Sequence, residues 1–211
     1  MPVERTRQIP AWLRWCALIF LAVWFTTYCI YWRPATFLHL CDVAVILTCV
    51  GLWTSNSLLL SSQAVSSLAV DLVWCFDVGY TALLAKHPIG GTEYMWDVTR
   101  PLWVRMLSLF HVFWPVLLLW AIYRAGYDRR GWILQSGIAA ILMVASRFLK
   151  PEDNFNYAFT DPFFHRAWGR APVHVALTLA VLIVAVYLPT HWILARCFPP
   201  PAAAAQKEMT R

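Results

Sequence analysis

Six long runs of apolar side chains, each near the length that crosses a hydrocarbon layer, constrain this 211-residue chain more than any motif. A bilayer core about 30 Å thick takes roughly 20 apolar residues per helix. The runs fall at residues 11–32, 36–53, 63–85, 101–123, 132–149 and 173–194, and little chain is left between them. Backbone polar groups inside lipid must be satisfied within the segment or by a closed barrel. Ten-residue units of alternating polarity, the mark of a barrel strand, are missing from the sequence. The expected fold is therefore all-α, a polytopic transmembrane bundle of about six helices. Residues 1–198 form one domain and residues 199–211, with their run of Pro and Ala, a disordered C-terminal tail. With 60% hydrophobic and 13% charged residues the chain lies outside the usual soluble composition.

The remaining bulk features agree with a membrane location. Trp12, Trp32, Trp53, Trp103, Trp132, Trp168 and Trp192 sit near span ends, where amphipathic rings settle at the headgroup level. A net charge of +6 is spread over loops and tails without an aromatic-interleaved basic patch, so it implies attraction to anionic lipid and not to nucleic acid. The first run is too long for a signal-peptide core and lacks a small-residue cleavage site. Cys16, Cys29, Cys41, Cys49, Cys75 and Cys197 contain no Cys-x-x-Cys pair, which speaks against a disulfide framework or a structural zinc site. The basic N-terminus and the Arg124 to Arg130 cluster favour both termini inside, and the expected location is a bacterial cytoplasmic membrane.

Several polar side chains interrupt the apolar runs at related depths. Cys41 lies a few residues into the second run, His111 about ten residues into the fourth and Asp77 about eight before the end of the third, all measured from one membrane face. The loop with Asp153, Asn154 and Asn156 closes over the same side. An ionisable residue at such a depth is costly and marks a site by default. Asp71, nearer the bilayer centre, is six residues from Asp77 and thus about 120° away around the helix, so the two do not form one carboxylate pair. Arg105 or Ser/Thr hydroxyls from other helices are the expected partners of Asp71 and Asp77.

The ordered set Phe37-Leu38-His39-Leu40-Cys41-Asp42, Leu109-Phe110-His111, Asn156-Tyr157-Ala158 and Leu188-Pro189-Thr190 resembles the YwaF-like family of integral membrane proteins. The resemblance runs from about residue 35 to residue 195. Phe37 stands where the family often has Pro, Val112 where it often has Gly, and residues 69–86 match its third helix poorly. Relatives in the family include a cysteine-dependent, coenzyme A-independent acyltransferase that moves acyl chains between phospholipids and lysophospholipids. The resemblance implies catalytic roles for Cys41 and His111, a phospholipid or lysophospholipid substrate, and no cofactor.

The chemistry is coherent. A free thiol is mostly protonated at neutral pH and needs a base. His111 would take the proton of Cys41, a thioester would form at Cys41, and the same imidazole would activate a lysolipid hydroxyl or water. Asp42 or Asp77 would hold the imidazole tautomer and Asn156 would donate to the oxyanion. His39, three residues before Asp42 on one helical face, reads as its local partner. A metal site from His39, Cys41, Asp42 and His111 has no supporting spacing, and none is expected. The competing reading is a non-enzymatic membrane protein, either a small transporter using Asp71, Asp77 and Arg105 or an assembly partner. No internal repeat of the kind common in transporters is visible.

Overall fold

The computed structural model describes residues 9–201, and those residues fold into helices joined by loops and short 3-10 turns. Six helices carry the architecture: α1 Ala11–Tyr31, α2 Leu40–Thr54, α3 Ser57–Leu84, α4 Leu102–Ala125, α5 Gly131–Ser146 and α6 Ala171–Cys197. Four of them, α1, α3, α4 and α6, are long and apolar enough to cross a membrane. Exposed Ile, Val, Leu and Phe side chains cover α1 and α6, as expected of surfaces that meet lipid tails instead of water.

Local chemistry sets the helix ends. Ser55 takes a left-handed conformation (φ 53°) to end α2, and Asn56 accepts the Leu59 amide at 3.1 Å to start α3, so the two helices are joined by a tight reversal. α3 therefore begins six residues earlier than the apolar run indicates. Proline breaks the hydrogen-bond ladder inside α4, where Pro115 lacks the N–H that would bond the carbonyl of His111. The Cys75 thiol on α3 takes that carbonyl at 3.7 Å. α6 contains a π-helical stretch, Ile183–Tyr187, just before Pro189.

α3 is the central element and packs against α2, α4, α5 and α6. Residues 61–67 are buried on every side, and most of them are small. Gly131 at the start of α5 lets the two backbones nearly touch, since a Cβ there would lie 2.9 Å from Ser61 and Ser62 backbone atoms. Deeper in the same seam Gln63 donates to Gln135 at 3.3 Å, and Gln135 donates to Ser66 at 2.9 Å and to Tyr187 at 3.4 Å. The apolar core lies on the other side of α3, around Trp24, Leu52, Phe110 and Trp114.

Beyond α6, Pro199 accepts the Tyr127 amide at 2.8 Å, so the start of the expected tail is fastened to the α4–α5 loop. Residues 202–211 of that tail lie outside the described residues.

Candidate functional site

The first turn of α2, the middle of α3 and the first half of α4 meet at the bundle end that holds the α3–α4 and α5–α6 loops. Asp42, Asp71 and His111 are buried there, at 3%, 1% and 5% exposure, and the half-buried Cys41 stands beside them. Cys41 is the second residue of α2, and its thiol lies within electrostatic range of Asp42 and Asp71.

His111 is fixed on all sides. Its Nδ1 lies 2.8 Å from the carbonyl of Ser108, one turn earlier on α4, and its Nε2 lies 3.9 Å from Asp71 Oδ1. Trp74 stacks on the imidazole at 4.5 Å with 10° between planes, and Phe110 stacks at 4.0 Å. A carbonyl can only accept, so Nδ1 carries hydrogen and Nε2 is the nitrogen that gains or loses a proton toward Asp71. Asp71 reaches His111 because it, Trp74 and Cys75 share one helical face at spacings of three and four residues. Asp42 Oδ2 and Asp71 Oδ2 are buried and have no hydrogen-bond partner among the described residues.

Hydroxyl groups surround the cluster. Tyr28 on α1 bonds Ser108 Oγ at 3.2 Å, and Trp74 Nε1 donates to Tyr94 at 3.0 Å from the α3–α4 loop. Tyr157 comes from the α5–α6 loop, and its hydroxyl approaches Gly91. Burial raises the Tyr157 phenol above its ordinary range, with Asp77, Glu93 and Cys41 adding to the rise. Tyr94 is raised by burial in the same sense. Both phenols stay protonated at any physiological pH and act as neutral hydrogen-bonding groups.

Some expected roles change. Asp77 does not face His111. Its Oδ1 accepts the Ile89 amide at 2.8 Å and the Gly90 amide at 3.2 Å, while Oδ2 accepts the Thr92 hydroxyl and meets His87 Nδ1 at 3.3 Å. Asp77 thus anchors the loop that brings Tyr94 in. Asn156 spends its amide protons on Leu38 O at 2.7 Å and Ser146 Oγ at 3.0 Å, and its oxygen accepts the Leu40 amide at 2.9 Å. It caps α2 and is no free oxyanion donor. His39 packs against Phe155 at 4.4 Å with the rings tilted by 47°, and makes no hydrogen bond to Asp42. Arg105 donates to Met95 O at 2.6 Å and not to Asp71. Among the described residues Cys41 and His111 share no hydrogen bond, and the thiol's partner is Asp42 Oδ1 at 4.0 Å.

Tyr28, Tyr94 and Ser108 had no place in the sequence expectation. Ser108 carries a readable signal, because it lies three residues before His111 on one face of α4. Tyr94 carries none, since only the folded loop brings it to Trp74. No group of three or more His, Cys, Asp or Glu side chains among the described residues is arranged to hold a metal ion. Comparison with protein-family models, with curated proteins and with solved structures found no match to the chain.

Proposed function

We propose that this chain is a membrane protein that binds and releases a proton inside the bundle at the Asp71–His111 pair, in the service of moving a proton or a proton-coupled solute across the membrane. One observation carries the reading: the buried carboxylate of Asp71, one oxygen of which has no hydrogen-bond partner among the described residues, faces the only titratable nitrogen of His111. Nε2 and Asp71 Oδ1, 3.9 Å apart, would close to a hydrogen bond only with a single proton between them, on either group. Buried polar atoms are nearly always satisfied, and unsatisfied ionisable ones inside a membrane mark proton paths by default. Tyr28, Ser108 and Tyr94 supply the hydroxyl chain along which a proton would travel toward the loops.

The second reading is acyl transfer or hydrolysis through Cys41 and His111, in line with the YwaF-like resemblance. The position of Cys41, in the first turn of α2 beside the His111 cluster, is the observation that favours it. In that mechanism the imidazole would leave Asp71 to take the thiol proton, and a phospholipid would donate the acyl group.

Two assays on the purified, reconstituted protein separate the readings. Proteoliposomes with an internal pH dye should dissipate an imposed pH gradient with wild-type protein, Asp71→Asn should slow this at least tenfold, and Cys41→Ala should not. Intact-mass analysis after incubation with a defined phospholipid should show no hydroxylamine-sensitive adduct. An adduct lost in Cys41→Ala, without gradient dissipation, would replace the proton reading with the acyl one.

A further inference from the structure

The opposite end of the bundle holds an open recess of about 430 Å³ lined by Arg129, His191, Trp192, Ala195 and Arg196. It is formed by the α4–α5 loop and the last turns of α6, and it shares no residue with the cluster around His111. Its volume falls within the range of small-ligand sites, about 300 to 1,000 Å³.

The charges at the two ends differ in how they are used. Around the cluster, Arg33 pairs with Asp153, Arg100 with Asp97, and Arg105 and Arg147 bond backbone carbonyls. At the recess end Arg130 is claimed by Asp128 at 2.8 Å, which leaves that carboxylate neutralised. Arg129 and Arg196 are exposed and have no ion pair or hydrogen bond among the described residues. Among the described residues no carboxylate lines the recess.

His191 adds a third donor. The Tyr127 hydroxyl lies 2.8 Å from its Nδ1. Burial, then the charge of Asp128, pushes the Tyr127 phenol up, so the hydroxyl keeps its proton. With that hydroxyl donating to Nδ1, the hydrogen of the neutral ring sits on Nε2, which has no protein partner among the described residues. Two guanidinia and an imidazole N–H around an open space suit a phosphate oxyanion. Trp192, 59% exposed, and Trp132, whose ring lies 6.0 Å from that of His191, put the site at headgroup depth. Ile193, 62% exposed, offers an adjoining apolar surface to acyl chains.

We propose that this recess binds the phosphate of an anionic phospholipid headgroup through Arg129, Arg196 and His191. Basic pockets between transmembrane helices bind such headgroups in this way. A free phosphate shares the chemistry but leaves most of the volume, Trp192 and the apolar flank unused.

The test is calorimetric titration of the full chain in detergent with dioctanoyl phosphatidylglycerol, dioctanoyl phosphatidylcholine and inorganic phosphate. Phosphatidylglycerol should bind at least tenfold more tightly than either of the others. The Arg129→Gln/Arg196→Gln double variant should lose roughly 30-fold in that affinity, the effect of two cations near a lipid surface. Arg130→Gln, at the paired arginine, should bind as wild type. Equal affinity for the two lipids overturns the proposal, as does unchanged binding in a double variant shown by circular dichroism to be folded. Inorganic phosphate binding as tightly as phosphatidylglycerol overturns the lipid assignment. The wild-type comparison decides even if the double variant fails to fold.

Discussion

Along α3, residues 61–67 and the turn around Asp71 both bury polar side chains against neighbouring helices, yet only the second leaves carboxylate oxygens unpartnered. The first seam closes on itself: Gln63, Gln135, Ser66 and Tyr187 donate and accept among themselves at 2.9 to 3.4 Å. Its polar atoms act as glue between helices that hydrophobicity alone cannot hold together in lipid. The Asp71 turn has a stacked aromatic wall, a fixed imidazole and a carboxylate oxygen 3.9 Å from His111 Nε2. A satisfied network specifies structure, whereas an unsatisfied one is retained at a cost and so points to use. Asp77, on the same helix as Asp71, belongs with the first class, because its loop contacts occupy both oxygens.

The largest expected effect strikes the seam. Gly131→Leu drives a Cβ to 2.9 Å from the Ser61 backbone, which cannot move aside cheaply. It should cost about 3 kcal/mol, at the upper end for overpacking, read as a large fall in midpoint temperature or loss of monodisperse protein. A smaller cost of about 1 to 3 kcal/mol is expected for Gln135→Leu, which takes one acceptor from the buried Gln63 amide and the donor from Ser66 and Tyr187. Asp71→Asn should do the reverse of Gln135→Leu, changing stability by less than about 0.5 kcal/mol or raising it, since a neutral amide removes the cost of a buried carboxylate and can offer an N–H toward the imidazole. If thermal unfolding shows Asp71→Asn to be as damaging as Gln135→Leu, the division between glue and site collapses.

The smallest effect is local and sharpens the comparison from outside the membrane. Burial would raise the Asp161 carboxyl, but the amides of Phe164, Arg166 and Phe163 outweigh it and hold the group below its ordinary value. A lowered folded value means that the stabilisation is complete above the unfolded value near 3.9 and is lost as pH falls through the folded one. Below about pH 4 the loop should loosen, with faster rate-corrected amide exchange at Phe163 and Phe164. Asp161→Asn should abolish the pH dependence of that exchange.

The fold was legible because lipid demands long apolar runs, and six of them mark the six helices. The start of α3 was not, because Ser57, Ser61 and Ser62 read as polar although small side chains are what close helix contacts need. At the site, the residue types at Cys41, Asp42 and His111 stood out in the sequence, but their partners did not. Counting depth back from the end of α3 matched Asp77 to His111. With 28 residues α3 is about 42 Å long, more than the hydrocarbon is thick, so its last turns and Asp77 belong to the rim. Asp71, one and a half turns deeper, is the residue at the level of the imidazole.

α2 and α5 have the opposite problem. With 15 and 16 residues they rise only about 22 to 24 Å. Hydrocarbon beside them must thin, or other backbone must fill the missing depth. The chain takes the second course at the cluster end, where the turns Pro34–Leu38 and Phe155–Tyr157 dip in and Asn156 bonds to both helices. Irregular backbone at such a level survives only where protein or water satisfies it. At the level where the two short helices stop, protein turns and not lipid complete the depth, and beneath that plug lies the first turn of α2, where Cys41 and the buried Asp42 stand.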